Sequence, residues 1–209
     1  MTRLGAHAES LLESAGIDLC ADLPYRGRAA VLLASTRALW APFVAWLRAL
    51  PARAEVPNPL DTYVAERVAE LLPGREVVWP WAEGAPGFVA LAVQAGLLWR
   101  GPGGLGIHRR YGPWVGLRGL VLLDEPPAAR EVAPAPACLL CATCCAPAWA
   151  ALPAPESEAS FRREWRAWAS ARASCPLGAD HRYGDDQLAY HYTHDRDILR
   201  RIARDGAAA

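Results

Sequence analysis

Residues 104–125, GLGIHRRYGPWVGLRGLVLLDE, decide how the chain is read. They predict two strands separated by a turn at Arg110-Tyr111-Gly112-Pro113, because Gly-Pro punctuates the run. In the second strand both alternating sets of residues are largely apolar, as expected when both faces are covered. Arg118 breaks that pattern. A guanidinium inside such a strand requires a partner, whether a carboxylate, backbone carbonyls or an anionic ligand.

Working outward, the apolar run AAVLLA (29–34) predicts a second buried strand. Ser35-Thr36 suit the start of a helix in which Leu39, Phe43, Trp46, Leu47 and Leu50 recur at helical spacing. In VPNPLDTYVAERVAELL, Asn58 is read as a cap with Pro59 in the first turn and Asp61 three residues on. REVVW (75–79) predicts a strand, and FVALAVQAGLL (88–98) a helix apolar on nearly every side. Toward the C-terminus, FRREWRAWASARA and DDQLAYHYTHDRDILRRIA each predict one helix. Helices mixed with non-alternating strands point to an α+β layer fold. One domain over 1–204 is expected, with a cysteine-rich insertion at about 137–150, a Pro/Ala-rich connector before it and a disordered tail at 205–209.

Composition narrows the function classes. The 209 residues carry 22 basic and 22 acidic side chains, so net charge is zero and no basic field points to nucleic acid. Every basic residue other than histidine is Arg, which removes lysine Schiff-base and lysine general-base chemistry. No apolar run reaches the ~18 residues of a membrane span. The opening MTRLGAHAESLLESAG reads as an amphipathic helix rather than a leader. A cytoplasmic protein with reduced thiols is therefore expected.

Five segments taken in order, AVLLASTRALWAPFVAWL (30–47), NPLDTYVAERV (58–68), GIHRRYGPWVGLRGLVLL (106–123), EWRAW (164–168) and HRYGDDQLAYHY (181–192), resemble the cobalamin-processing CblC proteins. That resemblance implies a nitroreductase-like (flavin reductase-like) sheet flanked by helices. It also implies cytoplasmic binding of cobalamin with its lower base detached, and reductive removal of the upper axial ligand by decyanation or dealkylation. Reduced flavin or glutathione would be the electron donor. A corrinoid is then the expected partner, with no nucleic acid and no membrane, and a homodimer is admitted. AGLLWRGPGGLGIHRRYGPWVGLRG (95–119) also resembles epoxyqueuosine reductase, which places CxxCxxCxxxCP after the corresponding strand. The interval GREVVWPWAEGAPG (74–87) lacks the aspartate of that family, so its reaction is not expected here.

The cysteines support three readings. Cys138, Cys141 and Cys144 have CxxCxxC spacing, and the distant Cys175-Pro176 supplies a fourth thiol, the set for one 4Fe–4S cluster acting as an electron relay. Ala148 stands where the reductase motif has its own cysteine. Alternatively, Cys138, Cys141 and Cys145 lie at i, i+3 and i+7 and continue into Trp149 and Leu152, one helix face of core residues. Zinc or a redox dithiol is the third reading. Cys145 has no role in the cluster, and Cys20 reads as core.

The remaining candidate ligand contacts are Ser35, Thr36, His108, Trp114, Arg118 and Arg166. His108 by itself reads as a satisfied structural histidine, while the CblC resemblance implies a place near the corrin without binding cobalt. By resemblance to an Arg-containing CblC segment near the thiol pocket, Arg166 in EWRAW would grip a glutathione carboxylate or a corrin amide oxygen, the alternative being a solvated helix Arg. Ser35 and Thr36 are read as donors to corrin amides or as helix caps. His191 and His194 stand at metal-ligand spacing but read as an exposed polar face. Three further functions stay open: a flavin-dependent reductase, a corrinoid carrier without turnover and a zinc-stabilised interaction module.

Overall fold

In the computed structural model, which describes residues 2–127, 141–154 and 156–205 (with the side chains of Cys141 and Ala142 excepted), the chain is built around the predicted strand at 28–35. This strand, β2 (Arg28–Ser35), is buried from Ala29 onward and pairs with β1 (Leu19–Tyr25) through a tight turn at Arg26-Gly27, both with positive φ. β6 (Gly116–Leu122) lies on the other side of β2, and β3 (Glu76–Val78) flanks β6, giving an antiparallel sheet ordered β1-β2-β6-β3.

The two apolar faces of β2 and β6 go to separate cores, which accounts for their lack of alternation. Val31, Leu33 and Val121 pack beneath α1 (Ala6–Ser14), α2 (Trp40–Ala49), α3 (Pro59–Leu71) and the C-terminal α9 (Arg196–Asp205). Ala30, Leu32, Leu120 and Leu122 pack against Phe88, Leu91 and Ala92 of α4 (Phe88–Gln94). The result is an α+β sandwich of helices, sheet and helix.

The two strands expected around the Gly-Pro turn do form, but they do not pair with each other. β5 (Gly106–Ile107) joins β4 (Trp99–Arg100) in a small separate ribbon, while β6 enters the main sheet. The expected C-terminal helices are also divided. FRREWRAWASARA becomes α6 (Glu158–Arg163), opened by a Ser157–Ser160 capping box, and α7 (Trp165–Ala173), with Glu164 between them. The last helix becomes α8 (Asp185–Thr193) and α9, broken at His194, whose φ of 52° is left-handed. That break turns α9 onto α2, where Leu199, Ile202 and Ala203 are buried. Asn58 precedes α3 as expected but is left-handed, and its side chain makes no cap bond.

Across the cysteine-rich segment, a π-turn at Cys141–Cys145 leads into α5 (Ala146–Ala150). Cys138, most of the Pro/Ala connector and the tail beyond Asp205 lie outside the described residues. Among the described residues no helix is long and apolar enough to cross a membrane.

Candidate functional site

A register shift explains how β6 carries an arginine. Leu33 pairs with Gly119 and the next residue, Ala34, pairs with Leu117, so Arg118 is an extra residue bulged out of the ladder. A bulge re-aims the side chain it displaces, and bulges concentrate beside binding sites. The guanidinium folds back over Gly116, where a Cβ would collide with it. Its Nε donates to Ser35 Oγ at 2.7 Å, and Nη2 lies 3.3 Å from His191 Nε2. On the other side of the ring, His191 Nδ1 is 2.9 Å from the Gln187 carbonyl. The two contacts together fix a neutral tautomer, with Nδ1–H donating to the carbonyl and Nε2 accepting from Arg118. Burial, then Arg118 and Arg172, holds His191 well below the usual histidine range.

Arg172 is a second buried guanidinium, and the sequence reading did not find it. Its Nε and Nη2 both donate to the Pro113 carbonyl, at 3.1 and 2.6 Å. The cation lies 4.6 Å from the Trp114 ring centroid and 5.0 Å from that of Tyr183, clasped between two aromatic faces. Tyr183 in turn touches the His191 ring at 4.9 Å. A signal was present, since Trp165, Ala169 and Arg172 recur at i, i+4 and i+7 and so share one face of α7. Arg118 and Arg172 are 7% and 8% exposed, and among the described residues neither makes an ion pair with a carboxylate. Asp61 and Asp18 act on Arg118 only through space.

Above this layer opens a cavity of about 400 Å3 lined by Trp114, Trp165, Arg166, Arg182, Tyr183 and Asp185, among others. Trp114 Nε1 and Tyr183 Oη, on two of its lining residues, and Gln187 Nε2 on α8 are buried with no hydrogen-bond partner among the described residues. The exposed guanidiniums of Arg166 and Arg182 along the cavity favour a ligand with oxygen acceptors, such as a carboxylate.

The residues expected from sequence separate into two groups. Trp114 and Arg166 line this cavity, with Arg166 exposed and 4.7 Å over the Trp165 ring, while Arg118 is buried in the bulge of β6 and does not line it. Ser35, Thr36 and His108 are engaged inside the protein. Ser35 accepts from Arg118. Thr36 Oγ1 donates to Asp18 at 2.5 Å and accepts from Ala38 N, capping the helical turn that leads into α2. His108 Nδ1 accepts from the backbone of Arg110 and Tyr111 at 3.1 and 3.2 Å, organising the turn between β5 and β6. Burial, helped by Arg109 and Arg110, lowers its pKa to about 4, so it is neutral at physiological pH. His191, expected on an exposed polar face, instead turns inward as the partner of Arg118. Trp165 and Trp168, three residues apart on α7, take different partners: Trp165 stacks on Tyr192, while Trp168 packs on Trp149 and Phe161.

A second cluster gathers thiols. Cys145 and Cys175, each 2% exposed, pack with Trp99 and Ile107, with Cys144, Trp149 and Leu177 against them. The Cys144 and Cys145 sulfurs lie 3.3 Å apart, and Cys175 belongs to the same buried cluster. Burial, then these two neighbours, pushes the Cys145 thiol far up from its ordinary value. Of the expected cluster ligands, Cys144 and Cys175 are thus brought into one pocket, while Cys138 and the Cys141 side chain lie outside the described residues. Among the described residues no three His, Cys, Asp or Glu side chains are disposed to hold a metal ion.

Against known structures, the crystal structure of the C. elegans B12-trafficking protein CblC, a homologue of human MMACHC, matches with a TM-score of 0.59 at 16% sequence identity. The match covers 97% of this chain and 93% of that one. The two chains share a fold. No family model and no curated protein sequence matches this chain. The likeness therefore rests on the layout of helices and sheet, and it runs from end to end.

Proposed function

We propose that this protein binds a corrinoid and removes its upper axial ligand reductively, within an architecture of the nitroreductase-like kind. The observation that carries the reading is the end-to-end fold likeness to a B12-trafficking protein, joined to the five sequence segments that resemble CblC. The site chemistry is compatible. A corrin periphery is rich in amide oxygens, and the exposed guanidinium of Arg166 is a donor suited to them. Ser35, Thr36 and His108 would act one step back, by holding Arg118, the start of α2 and the 108–112 turn in place.

The cavity is large enough for a tripeptide thiol but not for a whole corrinoid. In this reading it receives the reductant, glutathione, with Arg166 and the buried guanidiniums attracting its carboxylates. The protein's contribution is to exclude water and orient the thiol, and electrons pass to cobalt as the axial ligand departs. Reduced flavin is the alternative donor. A second reading of the electron path is a 4Fe–4S relay on Cys138, Cys141, Cys144 and Cys175. It is favoured by the shared pocket of Cys144 and Cys175, and stoichiometric iron after anaerobic purification would be its signature.

The test is absorption spectroscopy. Hydroxocobalamin added to the folded protein should shift its visible bands and raise the melting temperature. Cyanocobalamin supplied with glutathione or reduced flavin should then turn over to the cob(II)alamin spectrum. Absence of any band or melting shift would overturn the reading. Binding without turnover would leave a corrinoid carrier, and a bound yellow flavin with no response to corrinoid would leave a flavin-dependent reductase.

A further inference from the structure

We propose that Asp185 reads the α-ammonium group of the thiol reductant, so that the cavity beside α7 and α8 selects a γ-glutamyl tripeptide thiol with a free amino group. The inference rests on the reading that this cavity receives the reductant. Its charged lining residues are Arg166, Arg182 and Asp185, all exposed. Among the described residues none of the three takes part in an ion pair, whereas Arg162, Arg200, Arg201 and Asp186 of the same C-terminal third do. Two cations and one anion are thus left for a ligand.

The cations are held in place without being neutralised. Arg182 Nη2 donates to the Ala173 carbonyl, at the end of α7, across 2.6 Å, and the Arg166 guanidinium lies 4.7 Å over the Trp165 ring. Asp185 and Asp186 both open α8, and either serves the positive end of the helix dipole. They differ in what else they do. Asp186 is tied to Arg201 at 2.5 Å, while Asp185 lines the cavity. The helix start therefore accounts for an acidic first turn, and the cavity gives Asp185 a separate use.

At neutral pH glutathione carries two carboxylates and one ammonium, the complement of the cavity's charges. Arg182 and Asp185 stand three residues apart on one stretch of chain and match the carboxylate and ammonium of the γ-glutamyl amino-acid head. Arg166, on α7, is left for the glycine carboxylate, which sets the central cysteine thiol between the two anchors. A tripeptide without the amino group brings two negative charges and nothing to meet Asp185. Discrimination then comes from repulsion as well as from a lost attraction. Because Asp185 is exposed, its effect is that of a solvent-facing pair, about threefold to fivefold in affinity.

The experiment titrates the full-length protein with glutathione and with glutaryl-cysteinylglycine, which keeps both carboxylates and lacks the amino group, following tryptophan fluorescence. Wild type should bind glutathione about threefold to fivefold tighter. High salt should shrink that preference, because exposed charges are screened. Asp185→Asn should lose it by weakening glutathione alone, and Asp186→Asn should keep it. If Asp185→Asn fails to fold, the wild-type comparison of the two tripeptides decides alone. Equal affinities in wild type, or an Asp185→Asn loss shared by both tripeptides, would overturn the proposal while leaving the reductant site standing. Failure of both tripeptides to bind at millimolar concentration would overturn the reductant site and this proposal together.

Discussion

Arg118 donates from Nε to Ser35 Oγ across 2.7 Å, joining the bulge in β6 to the last residue of β2. The bond satisfies one donor of a buried cation and does not neutralise it. A guanidinium taken out of water without a carboxylate is a burden on stability unless something else uses its charge. Arg118→Met should therefore leave the melting temperature within a few degrees of wild type. Hydroxocobalamin or glutathione binding, followed by titration, should weaken about tenfold or more, equivalent to ~1.4 kcal/mol. A large loss of stability with unchanged binding would make Arg118 a purely structural residue.

Gly116 makes room for that guanidinium. Gly116→Ala should push Arg118 aside, costing about 1–3 kcal/mol in denaturant unfolding through overpacking. In the Arg118→Met background the same change should cost clearly less, because the group it strikes is gone. A double-mutant cycle measures the difference, and simple additivity would separate the two residues.

Trp114 carries a buried N–H with no partner among the described residues. Replacing it by Phe keeps a ring for Arg172 to lie over and removes the orphan donor. Stability should change by no more than about 1–2 kcal/mol, while ligand binding falls. Unchanged binding would show that the indole N–H faces no ligand acceptor.

Acid should unfold the protein through its buried histidines. His108, with a pKa of about 4, and His191, held low by burial and by Arg118 and Arg172, bind protons more readily in the unfolded chain. Their contribution is complete above the unfolded value near 6.5 and is lost as pH falls toward the folded values, by at most ~1.4 kcal/mol per pH unit for each. Asp61, raised by burial, works the opposite way around its own titration. Urea unfolding at pH 7, 6, 5 and 4 should show a falling midpoint, and His191→Gln should flatten the slope.

The glycines that bring the 108–112 turn against the loop at 177–178 should be the least replaceable. Gly112 has φ of 56°, and a Cβ there strikes the Leu177 carbonyl. Gly112→Ala should cost roughly 2–5 kcal/mol, from left-handed strain plus the clash. Gly184→Ala, where the space is open and φ is negative, should be nearly neutral in the same thermal melt.

Sequence alone determined what depends on local order. Burial on both faces of β2 and β6, the helices near 40–49 and 59–71, and the anomaly at Arg118 were all legible, because a buried strand and a helix impose their period on neighbouring residues. Trp114, Arg118 and Arg166 stood out for the same reason, lying in segments of distinctive order. Contacts across long separations were decided only by tertiary structure. The docking of α9 on α2 after the turn at His194 and the packing of Arg172 on Trp114 join elements dozens of residues apart. The partner of Arg118 proved to be a neutral histidine 73 positions away, selected by a one-residue bulge that no periodicity encodes. Cys145 and Cys175, thirty positions apart, share one buried cluster only because folding brings their segments together: spacing reports which residues share a face, but only packing reports which faces meet.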